Sequence, residues 1–280
     1  MQLHELDTPC LVLDEARMAH NIARMQGHMN ALGVSFRPHV KTSKCLDVAR
    51  RQRDAGARGI TVSTLKEAEE FFDGGFDDIC YAVALAPNKM ERALLLQGRG
   101  CKLRLVVDSL AGTESLLAAA AHAGIRPQVL IEVDVDGHRA GVAVESLLLV
   151  EIGQRLQEGG AELLGVMSHA GSSYECSTAE ELQRVAEQER ARSVRAAERL
   201  RAAGLPCTVV SVGSTPTALG ATQLQGVTEV RAGVYVFFDL VMAGTSVCSV
   251  DEIALSVLTT VIGHQPERGW IIVDAGWMAL

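Results

Sequence analysis

The 280-residue sequence lacks a basic excess: 26 Lys and Arg stand against 34 Asp and Glu, for a formal net charge of −8. Phosphate backbones are bound by basic faces, so nucleic acid is excluded as the expected partner. The sequence lacks a disulfide frame. Its cysteines (Cys10, Cys45, Cys80, Cys101, Cys176, Cys207 and Cys248) are seven in number, and no two have CxxC spacing. That pattern reads as thiols in a reducing compartment. A membrane-spanning run is missing too, because Arg, Asp or Glu interrupts every apolar stretch, and the N-terminus has no basic-then-apolar leader pattern. The expectation is a cytoplasmic protein with no membrane partner. Metal-site spacings of the HExxH or His-x-Cys kind do not occur, and the eight histidines are scattered, so no metal ligand is recognisable.

What the chain does contain is a regular alternation. Hydrophobic residues make up 48% and charged residues 21%, enough for a sizeable core. Residues 8–13 read as a strand and 14–32 as an amphipathic helix ending at Gly33. Strands are then expected at 34–41, 59–64, 77–83, 101–108, 127–135, 161–169, 206–213 and 228–235. Helical patterns fill the gaps, among them Ser63–Phe72, Ser109–Ala123 and Thr178–Ala203. Eight β units with helices between them predict an α/β fold, a (β/α)8 barrel, with an open doubly wound sheet as the rival. Polar residues gather where strands hand over to helices: Lys41, Ser63, Asp108, His138–Arg139, His169, Ser214 and Arg231. In a barrel these positions converge on one face, which favours the barrel. From residue 236 onward the pattern turns strand-like (VYVFFDLV, IALSVLTTVIGH, GWIIVDAG). The expected domains are a barrel over 14–235 and parts of an incomplete β-domain over 1–13 and 236–280. The apolar end at Trp277–Leu280 suggests a truncated second domain.

Chemistry concentrates in a few stretches. In Phe36–Lys44, alternation puts Arg37, His39 and Lys41 on one face; three basic side chains on a short strand suit a barrel mouth facing an anion better than a core. Lys44 lies one helical turn later and is expected to face away. Gly213-Ser214-Thr215 follows the seventh strand, and Arg231 to Tyr235 leaves the eighth. Backbone N–H groups and hydroxyls there could form an anion nest, a frequent phosphate site in this fold, or merely a helix cap. A phosphate on one side of the mouth and Lys41 on the other fit pyridoxal phosphate, whose aldehyde condenses with a lysine amine; a sugar-phosphate aldolase or isomerase fits the same geometry less specifically. Arg139 could grip a carboxylate or phenolate in a planar fork. His169 could pack against an aromatic cofactor, and Tyr174 could donate a hydrogen bond to it; a polar loop is the plain alternative for both.

Taken together, TPCLVLDEARMAHNIARM, RPHVKTSK, GITVSTLKEAEEFF, DVDGHRAGV, SHAGSSYE, VSVGSTPTAL, EVRAGVYVFFD and VDAGWMAL resemble the fold-type III pyridoxal-phosphate enzymes. The resemblance is to the group holding D-serine dehydratase, D-threonine aldolase and D-threo-3-hydroxyaspartate dehydratase, and the VSTLKEAEEFF, SHAGSSYE and GVTEVRAGVYVFFDLVM runs look most like the last. It covers nearly the whole chain. It implies Lys41 as the cofactor lysine, Arg139 near the phenolic oxygen, His169 beside the ring and Tyr174 in the loop facing cofactor and substrate. Ser214 and Thr215, with the backbone of Gly213, Gly233 and Val234, match the phosphate cradle, which Tyr235 closes. Arg231 matches an arginine that approaches the ring nitrogen. The implied activity is removal of water and ammonia from a D-β-hydroxy amino acid, D-threo-3-hydroxyaspartate or D-serine. Retro-aldol cleavage and non-catalytic cofactor binding are the alternatives. The resemblance further implies a homodimer and a divalent metal, zinc, whose ligands are not in this chain. For a second substrate carboxylate, Arg37, His39 and His138 are equal candidates.

Overall fold

The computed structural model describes residues 2–276. Eight parallel strands form its centre: β2 (Ser35–Pro38), β3 (Ile60–Val62), β4 (Asp78–Ala84), β5 (Lys102–Val107), β6 (Gln128–Asp134), β8 (Glu162–Ser168), β9 (Val209–Val212) and β10 (Glu229–Ala232). All eight lie where alternation predicts them. Their order is β2-β10-β9-β8-β6-β5-β4-β3, and the two-residue β7 (Val142–Ala143) sits beside β6. An isolated parallel bridge from His39 to Thr61 joins the two ends of that order. The sheet is thus a barrel and not an open doubly wound sheet.

Helices wrap the outside, and five of the long ones are started by a side-chain cap the sequence supplies. Asp14 accepts from the Arg17 amide to begin α1 (Glu15–Ala31), and Thr64 begins α3 (Leu65–Asp73). Ser109 begins α5 (Leu110–Ala123), Ser146 begins α6 (Leu147–Glu158) and Thr178 begins α7 (Ala179–Ala202); each such cap is worth about 1 kcal/mol. The remaining outer helices are α2 (Leu46–Asp54) and α4 (Met90–Gly98), while α8 (Thr215–Gly220) is short. On α1 the buried face is Met18, Asn21, Ile22, Met25, Gln26 and Met29, at helical spacing.

The inside of the barrel is layered. At the N-terminal ends of the strands lies a buried ionic cluster. Arg37, 1% exposed, donates from Nε to Glu229 at 2.7 Å and from Nη1 and Nη2 to the two oxygens of Asp78, both at 2.9 Å. Arg104 donates to the same Glu229 oxygen at 3.0 Å. Despite burial, the two guanidinium groups hold the Glu229 carboxyl down at about 2. Gly59, at φ 67°, is required here: a Cβ would sit 2.1 Å from Arg37 Nη1. Above this layer Cys80, Val106, Leu130 and Met167 form an apolar plug. The C-terminal ends above the plug are left for a cavity.

Outside the barrel, β1 (Cys10–Leu13) pairs antiparallel with β11 (Leu255–Leu258), and β12 (Val261–Gln265) pairs with β13 (Trp270–Val273). The run VYVFFDLV corrects the strand expectation. Residues Val234–Val236 form a 3-10 turn, and Asp239 caps the five-residue helix α9 (Leu240–Gly244) by accepting from the Met242 amide. Phe238, at φ 53°, breaks the extended path between them. The apolar end at Trp277–Leu280 lies outside the described residues. All seven cysteines are unpaired. Among the described residues no helix is long and apolar enough to cross a membrane.

Candidate active site

A cavity of about 390 Å3 opens at the C-terminal ends of the barrel strands. Ten of the eleven residues predicted for the site line it: Lys41, Arg139, His169, Tyr174, Gly213, Ser214, Thr215, Arg231, Gly233 and Val234. They arrive from five separate regions of chain, which the barrel brings to one mouth.

Lys41 follows β2. Its strand is fixed by His39 donating to the Ala232 carbonyl at 2.8 Å and Val40 donating to Thr61 at 2.9 Å. Burial lowers the Lys41 pKa, and the Arg139 and Arg231 guanidinium groups push it down further against the opposing charge of Glu67. The amine is therefore tilted towards its neutral, nucleophilic form. Lys44 takes a different course. At φ 47° its side chain is 66% exposed and meets Glu67 at 3.6 Å, off the cavity.

Arg139 sits in a loop shaped by Asp134, whose carboxylate accepts from the Gly137 amide at 2.8 Å and the Asp136 amide at 3.2 Å. Asp136 in turn accepts from the Ser172 amide and hydroxyl at 2.9 and 2.8 Å, tying this loop to the one after β8. The arginine lies against Gly171, where a Cβ would come within 2.7 Å of its Nε. Among the described residues its guanidinium has no acidic partner. His138 points elsewhere and pairs with Glu175 at 3.3 Å.

His169 and Tyr174 come from the loop after β8, their rings 5.9 Å apart. The His169 Nδ1 is 3.1 Å from the Gly213 carbonyl and donates to it in the neutral tautomer that pairing requires. Burial takes the His169 pKa down to about 4, with Arg231, Arg139 and Lys41 adding to the effect, so the ring is neutral at physiological pH. Burial also raises the Tyr174 pKa, leaving its phenol protonated. Arg231 is clamped from below, donating to the Ser211 hydroxyl at 2.7 Å and the Ser168 carbonyl at 2.5 Å.

The anion cradle differs in detail from the expectation. The Gly213 amide is already spent on Glu189 at 3.1 Å, and the Ser214 amide on the Thr217 hydroxyl at 3.0 Å. The Ser214 hydroxyl closes a capping box with Thr217 and bonds Ser173 at 2.9 Å. Of the cradle amides, those of Thr215, Gly233 and Val234 have no partner among the described residues, and all three residues line the cavity. The Tyr235 amide, donating to the Thr215 hydroxyl at 3.2 Å, pins these two loops together. Gly233 must be glycine, since a Cβ would lie 2.8 Å from both the His39 carbonyl and the Thr42 hydroxyl. The Tyr235 side chain does not close the cradle. It is 1% exposed, edge-on to Phe36, with its hydroxyl accepting from Gln52 at 2.7 Å.

Three features were missed or only half-read in the sequence. Glu132 lines the cavity with its pKa raised by burial; as the third residue of an in-out-in set on β6 it could have been found by alternation. His39 lines the cavity with Nδ1 unpartnered. Of the three candidates for a second carboxylate, it is the one the cavity contains, since Arg37 belongs to the ionic cluster at the base and His138 to Glu175. Glu189 occupies the buried stripe of α7 at a position where helical period predicts an apolar residue.

Comparison with known proteins places this geometry among relatives. The family model described as alanine racemase, N-terminal domain, matches residues 13–241. D-threo-3-hydroxyaspartate dehydratase of Delftia sp. (strain HT23) is 61% identical over 276 residues, 98% of this chain and 73% of that protein. Its crystal structure superposes with a TM-score of 0.97, covering 99% of this chain and 73% of that one. D-threonine aldolase of Arthrobacter sp. is 34% identical over 98% of this chain and 73% of its own length. D-serine dehydratase of Dictyostelium discoideum is 31% identical over 99% of this chain and 74% of its own length.

Proposed function

Because the chain belongs to the alanine racemase N-terminal domain family, we propose that it is a pyridoxal-phosphate-dependent dehydratase. Its substrate is a D-β-hydroxy amino acid, D-threo-3-hydroxyaspartate or D-serine, and its products are a 2-oxo acid and ammonia. The observation that carries this reading is one cavity holding both a lysine amine of lowered pKa and three backbone amides without partners. That pair of features fits an anionic, aldehyde-bearing cofactor at both of its ends.

Bound there, pyridoxal 5'-phosphate supplies an aldehyde that condenses with amines and a ring that spreads negative charge arising at Cα. The Thr215, Gly233 and Val234 amides hold the phosphate. The Lys41 Nζ would hold the aldehyde end and is the group placed to accept a proton from the substrate's Cα. Arg139, with no acidic partner, meets the phenolic oxygen or a substrate carboxylate as a two-pronged donor. His169 would pack beside the ring, and Tyr174, protonated, would donate towards it. Arg231, held by Ser211 and Ser168, would be the cation to approach the ring nitrogen. Among the described residues no three His, Cys, Asp or Glu side chains are grouped to hold a metal, so no step is assigned to one. A cytoplasmic homodimer completes the proposal, supported by unpaired cysteines and by exposed Ile262, Trp270 and Ile271 on the terminal hairpin.

The test is product analysis of the purified protein with the cofactor. Ammonia and 2-oxo acid from D-threo-3-hydroxyaspartate or D-serine are expected; glycine and an aldehyde from D-threonine would move the reading to the aldolase. Borohydride reduction is expected to fix the cofactor on the peptide containing Lys41. Sedimentation would read the dimer.

A further inference from the structure

We propose that Glu189, a residue outside the cavity, is a positioning residue that fixes the tautomer and orientation of the His169 imidazole through Gly213. The inference deepens the cofactor reading and rests on it for one of its two tests. Glu189 lies on the inner face of α7, 1% exposed, among Leu182, Val185, Ala186 and Ala196. A carboxylate on such a stripe is costly unless its oxygens are bonded. Among the described residues no lysine or arginine pairs with it. One oxygen, Oε1, instead accepts from the Ala170 amide at 2.9 Å and from the Gly213 amide at 3.1 Å. The Ser168 hydroxyl approaches the same oxygen at 3.4 Å.

These donors are not arbitrary. Ala170 is the residue after His169, and Gly213 is the residue whose carbonyl His169 Nδ1 meets at 3.1 Å. A single carboxylate oxygen therefore holds both ends of that contact, the backbone carrying the imidazole and the backbone carrying its acceptor. With Nδ1 committed as donor, Nε2 is left as an acceptor. Glycine is required at 213: at φ 119° a Cβ would lie 2.5 Å from the Arg231 carbonyl. The other buried acids have different tasks. Glu67 accepts from the Ser63 amide beside the start of α3, and Glu229 neutralises Arg37 and Arg104. Glu189 instead bonds the backbones of the two loops of the mouth, with the Ser168 and Thr217 hydroxyls beside it.

The test reads the imidazole directly in cofactor-free protein by 15N NMR of labelled histidine, with His169→Gln assigning the signal. The parent is expected to show the Nδ1-protonated neutral tautomer. Glu189→Leu keeps the bulk but offers no acceptor, and is expected to lose that tautomer or mix it with the other. Glu189→Gln keeps an acceptor without the charge and is expected to restore it. The second arm measures affinity for pyridoxal phosphate: about tenfold or more weaker in Glu189→Leu, and within about threefold of the parent in Glu189→Gln. A Glu189→Leu protein whose His169 keeps the parent tautomer overturns the proposal. If that variant does not fold, Glu189→Asp, one methylene shorter, is read the same way; an unchanged tautomer there overturns it equally. A parent that binds no pyridoxal phosphate would end the cofactor reading while leaving the tautomer result to stand or fall separately.

Discussion

The two ends of the barrel interior treat positive charge in opposite ways. At the base, Arg37 and Arg104 face Glu229 and Asp78, and each guanidinium is matched within 3.0 Å. At the mouth, Lys41, Arg139 and Arg231 share the cavity with a single acid among the described residues, Glu132, and burial raises that acid's pKa. A closed charge cluster organises a fold; an open one waits for an anion. The same residue type thus serves packing at one end and recognition at the other, and the distinction lies in the partners.

Substitutions can break that contrast, in descending order of effect. Lys41→Ala should cost roughly 10³-fold or more in turnover and abolish borohydride-fixed cofactor, measured by steady-state kinetics and peptide mapping. Glu229→Ala should strike stability instead, by about 3 kcal/mol in urea titrations, because it leaves two guanidinium groups to share Asp78. Its effect has a pH window. The Glu229 carboxyl sits at about 2 in the fold against an ordinary 4.5, so its stabilisation is complete above pH 4.5 and is lost as pH falls through about 2. Parent and variant stabilities should therefore converge in acid. Arg139→Ala should weaken cofactor or substrate binding about ten- to a hundredfold while the melting temperature stays nearly constant, since it deletes a cation with no acidic partner. Lys44→Ala should change stability by less than about 0.5 kcal/mol and leave turnover as it is; a large loss there would erase the distinction between the two lysines.

Much of this arrangement was legible in the sequence because barrels obey local rules. Strand alternation and capping residues are written within a few positions, and so the eight strands and most cavity residues could be placed. Hydrogen-bond partners are not local. Which amide of Gly213, Ser214 and Thr215 is free depends on Glu189, 24 residues before Gly213, and on how Thr217 turns back. Tyr235 read as a pocket residue because it follows Gly233 and Val234, but the 3-10 turn rotates its ring into the core against Phe36. VYVFFDLV read as a strand because its β-branched and aromatic content outweighs two local signals, the cap at Asp239 and the left-handed backbone at Phe238.

The bridge between His39 and Thr61 is where the first and last strands of the sheet order meet. The seam there is closed by the Val40 amide on the Thr61 carbonyl at 2.9 Å and the Arg58 amide on the Phe36 carbonyl at 2.8 Å, and Lys41 stands two residues beyond the bridge. The joint that shuts the wall is therefore also the mount of the one amine at the opening.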